Sequence, residues 1–187
     1  MTASTRPTPF ASLPTRPEDA APGRVHAVIE TPKGSAAKYD YEPALGVFML
    51  KKEMPAGSVF PFDFGFVPGT LGGDGDPLDV LVLLDWATYP GVVVEARLLG
   101  VFEAEQTERD GDRQENDRLV AVAACSRRYA EARTLDDLGR ATLDEVEHFF
   151  RSYNEQAGKR VEFKGRGGPE RAAALVDDGV RRAAAAR

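Results

Sequence analysis

Cysteine is almost missing from this sequence. Cys125 is the only one in 187 residues, so no internal disulfide can form, which fits a reducing, cytoplasmic setting. Histidine is nearly as scarce: His26 and His148 are too few and too far apart to suggest a histidine-based metal site. Positive charge is in deficit, with 24 Lys and Arg against 30 Asp and Glu and a net charge of −6. That balance argues against nucleic acid or an anionic membrane as a general partner. Long hydrophobic runs are lacking too; stretches such as Val80–Leu84 stop far short of a membrane span. Residues 1–22 are rich in Pro, Thr, Ala and Ser, without the apolar centre of a signal peptide. They read as a disordered tail, leaving 23–187 as a single domain with enough chain to bury a core.

What is present in abundance is acid in one place. Asp74-Gly75-Asp76-Pro77-Leu78-Asp79 puts three carboxylates within six residues, at the mouth of the apolar run Val80–Leu84. Crowded carboxylates repel one another and take up protons unless a cation sits among them. All-oxygen ligands without nearby His or Cys suit a hard cation, Mg2+ before Ca2+ or Zn2+. The plainer alternative is a solvated acidic turn, but Gly75 and Pro77 restrict the backbone between the acids. An EF-hand fits poorly, because the Gly falls at the second loop position and a strand follows where a helix should.

Around this turn the pattern predicts strands first and helices last. Val25–Ile29 is an expected strand, Lys38–Glu42 and Val47–Lys52 a hairpin, and Val92–Glu105 a long strand broken near Gly100. Leu119–Ala124 follows the charged turn Asp110–Asp117. Phe60, Phe62, Phe64 and Phe66 recur at a period of two in Val59–Val67, which predicts one shared face, read as core packing. Thr134 with Asp137 and Thr142 with Glu145 have capping-box spacing. Leu143, Val146, Phe149, Phe150 and Tyr153 mark one helix face, and Pro169 fits the start of another helix. Strands without βαβ alternation followed by two helices predict an α+β, mainly β fold: a small barrel with helices packed against it. Gly165-Arg166-Gly167-Gly168 is read as a plain loop rather than an anion site. Glu30, Lys38, Lys52, Arg118, Tyr153 and Lys159 lie near strand or helix ends, where sites are usually built.

Glu30-Thr31-Pro32, Lys38-Tyr39-Asp40, Pro61 with Phe64-Gly65-Phe66, the acidic hexapeptide, Leu119–Val122 and the helix segment His148–Tyr153 together resemble, in that order, the soluble family I inorganic pyrophosphatases. The resemblance spans roughly residues 25–165. It implies an OB-like five-stranded β-barrel with flanking C-terminal helices, and hydrolysis of inorganic diphosphate to two orthophosphates. It also implies several Mg2+ ions, with Mn2+ as the other candidate, and a homo-oligomer. By this resemblance Asp74 and Asp79 bind activating metals and Glu30 serves metals arriving with substrate. Asp76 orients or deprotonates the attacking water. Lys38, Lys52, Arg118, Tyr153 and Lys159 hold phosphate oxygens.

The chain departs from the family pattern at several places. Lys52 stands where an Arg is usual, Phe64 for a Tyr, Asp40 for a Glu and Asn154 for a Lys. The segment Gln106–Arg118 is about five residues longer than usual and admits two registers. Anchored on Leu119–Val122, Asn116 replaces a metal aspartate and Arg118 a lysine, with Asp117 close enough to act through a bulge. Anchored on spacing, Asp112 and Asp117 are the pair, but the following strand slips by one residue and turns its faces over. The first register is preferred, with Glu105, Gln106 and Glu108 as replacement ligands. These changes leave open a hydrolase of another phosphoanhydride (a nucleotide or short polyphosphate) or a catalytically weak diphosphate-binding protein.

Overall fold

Phe10 and residues 12–186 are described by the computed structural model of the chain. Among them the order is β1 (Arg24–Thr31), β2 (Ala37–Glu42), β3 (Val47–Glu53), β4 (Asp63–Phe66), β5 (Asp79–Leu83), β6 (Val93–Thr107), β7 (Arg113–Glu115) and β8 (Arg118–Ala123). A single 3-10 turn (Leu135–Leu138), helix α1 (Arg140–Gln156), strand β9 (Arg160–Gly167) and helix α2 (Pro169–Ala185) complete it. β1 pairs with β4, β4 with β5, β5 with β8 and β8 with β6, and β6 returns to β1, so five strands close a circuit. The β5–β8 pair is parallel; the others are antiparallel. β7 and β9 extend the sheet from β6, and β2–β3 form a separate hairpin.

The unbroken apolar runs of β5 and β8 arise because both faces of these strands are buried. Val80 and Val82 enter one core with Leu119, Ala121 and Ala123, which α2 covers with Ala172, Leu175 and Val176. Leu81 and Leu83 enter a second core with Val120 and Val122, which α1 covers with Leu143, Val146 and Phe150. A side-chain period of two sends neighbours to opposite cores, and each such leucine or valine contributes about 1.5–3 kcal/mol of burial. β6 is long enough to run between both ends of the molecule, and its pairing with β8 shifts between Leu98 and Gly100. The break expected near Gly100 is therefore a bulge within a continuous strand. A Cβ at Gly100 would lie 2.3 Å from the Gly167 oxygen.

Several local expectations need correction. Residues 1–9 and 11 of the expected tail lie outside the described residues, but 12–22 pack against the body. Thr15 donates to the Pro68 carbonyl at 2.8 Å, Arg16 pairs with Asp177 at 2.7 Å, and the His26 amide donates to the Thr15 carbonyl. Val59–Val67 is a strand only over Asp63–Phe66, and its stripe divides. Phe60, Phe62 and Phe64 join the core under α1, whereas Phe66 groups with Phe10 and Tyr41. Thr134 and Asp137 do form a reciprocal capping box, but Thr142 is no cap: α1 already starts at Arg140 after Gly139. Pro169 sits in the first turn of α2 as the sequence predicts. β9 had no sequence signal, and residues 165–167, read as loop, are its end.

Candidate active site

The acidic turn is held by its own backbone. Gly75 adopts φ of +89°, a left-handed value that an L side chain would strain. The Asp76 amide donates to Asp74 Oδ1 at 3.1 Å, and the Gly72 amide donates to the Asp76 carbonyl at 2.6 Å. Asp79 opens β5 directly across the parallel ladder from Arg118, which opens β8. That register sets a guanidinium beside a carboxylate at the sheet end. Lys38 and Lys52 face each other across the β2–β3 hairpin. Tyr153, from α1, lies under the Lys52 ammonium, which is 3.5 Å from its ring centroid.

These elements converge on a cavity of about 250 Å3 whose wall includes Asp74, Asp76, Asp79, Lys38, Arg118 and Tyr153. Lys159 lines the same cavity and pairs with Glu108 at 2.7 Å. A second cavity of about 600 Å3 shares Lys38, Asp76 and Asp79 with it and adds Glu30, Asp40 and Tyr41. Lys38 pairs with Asp40. The Glu30 carboxylate accepts the Tyr41 amide at 2.7 Å. Arg118 is 3 % exposed, stacks 4.4 Å from the Phe150 centroid and donates one bond, to the Asn116 carbonyl at 2.6 Å. Its Nε is buried without a partner among the described residues, a donor left free for an anionic oxygen.

At the carboxylates, burial outweighs the nearby positive side chains. Burial pushes Glu30 up to about 7 against the Tyr41 amide and Lys38, which pull it down. Burial likewise pushes Asp79 up to about 6 despite Arg118 and Lys38, and it raises Asp74. Lys38 is held above its usual range: burial would lower it, but Tyr153, Asp40 and Asp79 outweigh that. Lys52 falls below its usual range through burial and repulsion from Lys38 and Lys159. Among the described residues no three Asp, Glu, His or Cys side chains form a closed metal cage. The donor set nonetheless fits hard divalent cations: buried oxygen ligands whose raised pKa values a bound cation would reverse.

Both raised values make a testable prediction. Because Glu30 and Asp79 hold protons more tightly folded than unfolded, the native state binds more protons between about pH 4 and pH 7, and stability falls as pH rises through that window. Metal-stripped protein should therefore lose on the order of 5 °C of Tm between about pH 5 and pH 8. Glu30→Gln should shrink the loss and Mg2+ should reverse it. An identical pH profile in Glu30→Gln contradicts the assignment.

The other expected residues divide. Asn116 lines the cavity beside Gln106, to which its amide donates at 3.4 Å, while Asp112 is exposed in the turn. Asp117 turns away from the main cavity: its Oδ1 accepts the Ala104 amide at 2.9 Å, and it lines a crevice of about 20 Å3 behind Asp74 and Asp79. Of the replacement ligands, Gln106 and Glu108 reach the cavity, and Glu105 instead pairs with Arg113 at 2.9 Å. Gln114 and Phe150 also line the cavity. Sequence reasoning missed Gln114 because β7, which carries it, is three residues long.

Known proteins share this fold. The family model described as inorganic pyrophosphatase matches residues 27–184. The inorganic pyrophosphatase of Thermus thermophilus is 40 % identical over 160 residues, 85 % of this chain and 89 % of that protein. That of a Nostoc species is 37 % identical over 172 residues, 92 % of this chain and 97 % of that one. A crystal structure of the Thermus thermophilus enzyme superposes with a TM-score of 0.83 at 35 % identity, covering 94 % of this chain and 98 % of that chain. One from Neisseria gonorrhoeae gives 0.82 at 30 % identity, covering 94 % and 99 %. A family match over most of the length, on a sheet that gathers the acidic turn and the basic residues at one end, means that this chain belongs to the inorganic pyrophosphatase family.

Proposed function

We propose that this chain hydrolyses inorganic diphosphate to two orthophosphates, using divalent cations, Mg2+ before Mn2+, held by Asp74, Asp76, Asp79 and Glu30. The observation that carries the reading is the shared wall of acids and cations: Asp74, Asp76 and Asp79 line one cavity of about 250 Å3 with Lys38, Arg118 and Lys159, and Tyr153 joins them. Bound divalent cations would supply positive charge to the substrate and acidify water. Asp76 orients the attacking water and accepts its proton. Lys38, Arg118 and Lys159 hold phosphate oxygens, with the free Arg118 Nε one of the donors. Tyr153 donates its hydroxyl and supports the Lys52 ammonium from below, so that Lys52 approaches substrate as a point charge rather than a fork. Asn116 would offer a cation an amide oxygen, a weaker ligand than a carboxylate, and Asp117 would act there only through the backbone of β6, whose Ala104 amide it accepts.

The reading takes residues 23–187 as one catalytic domain in the cytoplasm, in keeping with the lone Cys125. Among the described residues no helix is long and apolar enough to cross a membrane. It also takes the chain to be a homo-oligomer, supported by exposed Leu45, Leu50, Trp86 and Tyr89. Orthophosphate release measured side by side from diphosphate, a nucleoside triphosphate and short polyphosphate tests the substrate. Diphosphate should exceed the others by at least about 100-fold, because a site built around one small anion leaves polar groups unpaired with a larger one. Comparable rates on the triphosphate contradict the assignment.

A further inference from the structure

Opposite the acid-lined end of the sheet lies a cavity of the reverse charge. About 190 Å3 in volume, it is lined by Arg24, Arg97, Arg133, Ser126 and neighbouring residues of β8 and the loop after it. Three strands connect the two ends. β1 begins at Arg24 and carries Glu30 near its finish, β6 bears Arg97 early and Gln106 late, and β8 leads from Arg118 to Val122. Six residues of strand at about 3.3 Å each separate Arg24 from Glu30 by roughly 20 Å, so the two cavities are distinct.

Two of the arginines are fixed in place. Arg97 donates to the carbonyls of Ala132 at 2.5 Å and Ala130 at 3.3 Å, and Arg133 donates to the same carbonyls at 2.6 Å (Ala130) and 3.1 Å (Ala132). These bonds orient guanidinium groups without neutralising them. Two acids lie beside Arg133: Glu131, 3.6 Å from its guanidinium with a side chain 95 % exposed, and Asp137, whose carboxylate accepts the Arg133 amide at 2.8 Å. Asp85 is occupied by the Ser126 hydroxyl at 2.6 Å and by the amides of Arg127 and Arg128. Neither Arg24 nor Arg97 has a carboxylate within 4.0 Å among the described residues. Burial, then repulsion from Arg133 and Arg24, holds the Arg97 guanidinium below its usual range. Anchoring the loop explains Arg97 and Arg133. It leaves Arg24 unexplained, because that side chain makes no hydrogen bond among the described residues.

We propose that this cavity is a second anion site that binds a small multivalent oxyanion, orthophosphate or diphosphate, through Arg24, Arg97 and Arg133. Guanidinium forks match phosphate oxygens, and two of the three are already held at the cavity wall by the Ala130 and Ala132 carbonyls. The volume, about 190 Å3, is below the roughly 300–1,000 Å3 of pockets that take organic ligands, which favours a small inorganic anion over a nucleotide. The site stands on its own residues and does not depend on the catalytic reading.

Orthophosphate titrated into the full chain, with divalent metal chelated and amide resonances followed by NMR, tests this. Amides of Arg24 and of Ala123–Arg133 should shift saturably with orthophosphate and not with chloride at matched ionic strength. Arg24→Glu should weaken that response at least about 10-fold, the loss of one charge-assisted contact. Amides of Asp74–Asp79 and the rate of diphosphate hydrolysis should stay as in the wild type. Arg24→Gln, a milder change, should weaken it in the same sense. Shifts confined to the Asp74–Asp79 end, shifts that chloride reproduces, or binding unchanged in both variants overturns the proposal.

Discussion

Asp76→Asn is expected to lower kcat for diphosphate by about 10²–10⁴-fold while KM moves only a few-fold, since the change removes a proton acceptor needed in the transition state. The position favours a clean result. Asp76 faces both cavities, and its backbone already completes the turn through bonds to Asp74 Oδ1 and Gly72 that an Asn retains. The shape of the turn should survive, so thermal unfolding should match the wild type while turnover collapses. Steady-state kinetics at saturating Mg2+ decides it. Wild-type kcat in the variant removes Asp76 from the chemistry, and a rise in KM alone makes it a binding residue.

The largest expected loss of stability comes from a residue with no side chain. Gly65 sits in β4 opposite Ile29 of β1, and a Cβ there would fall 1.9 Å from the Val28 carbonyl oxygen and 2.9 Å from the Ile29 Cα. Both obstacles are backbone, so no rotamer change relieves the clash and the two strands must separate. Gly65→Ala should therefore cost about 3 kcal/mol or more, at the upper end of overpacking effects. It should also displace Glu30, the residue after Ile29, and so weaken metal-dependent activity in whatever protein still folds. Denaturant unfolding would show it, and a variant within about 0.5 kcal/mol of the wild type contradicts the close approach.

The acidic turn and its strand were legible because both signals are local. Three acids stand within six residues, and the Val80–Leu83 run reflects a strand buried on both faces between two cores. The face of α1 was legible through helical spacing, although its last buried residue is Asn154, whose amide donates to the Phe150 carbonyl at 2.9 Å. Other features depend on partners distant in sequence. β9 mixes charges and glycines without an apolar pattern, and its pairing with β6 makes it a strand. Phe66 leaves the aromatic stripe because Phe10 and Tyr41, from other segments, surround it. Asp117 and Asn116 are adjacent and equally polar. Which one meets the cavity is decided by the Ala104 amide, which captures Asp117 from across the sheet. The Lys52–Tyr153 contact joins a hairpin to a helix and leaves no trace in either segment alone.

Orthophosphate release from diphosphate by the purified chain, with and without Mg2+ and beside Asp79→Asn, tests the central claim most directly. Asp79 is one of the two acids, with Asp76, that both cavities share, and burial pushes it up to about 6. The account predicts rapid release that requires Mg2+ and disappears in Asp79→Asn. Folded wild-type protein that releases no phosphate, or a variant that keeps the full Mg2+-dependent rate, contradicts it.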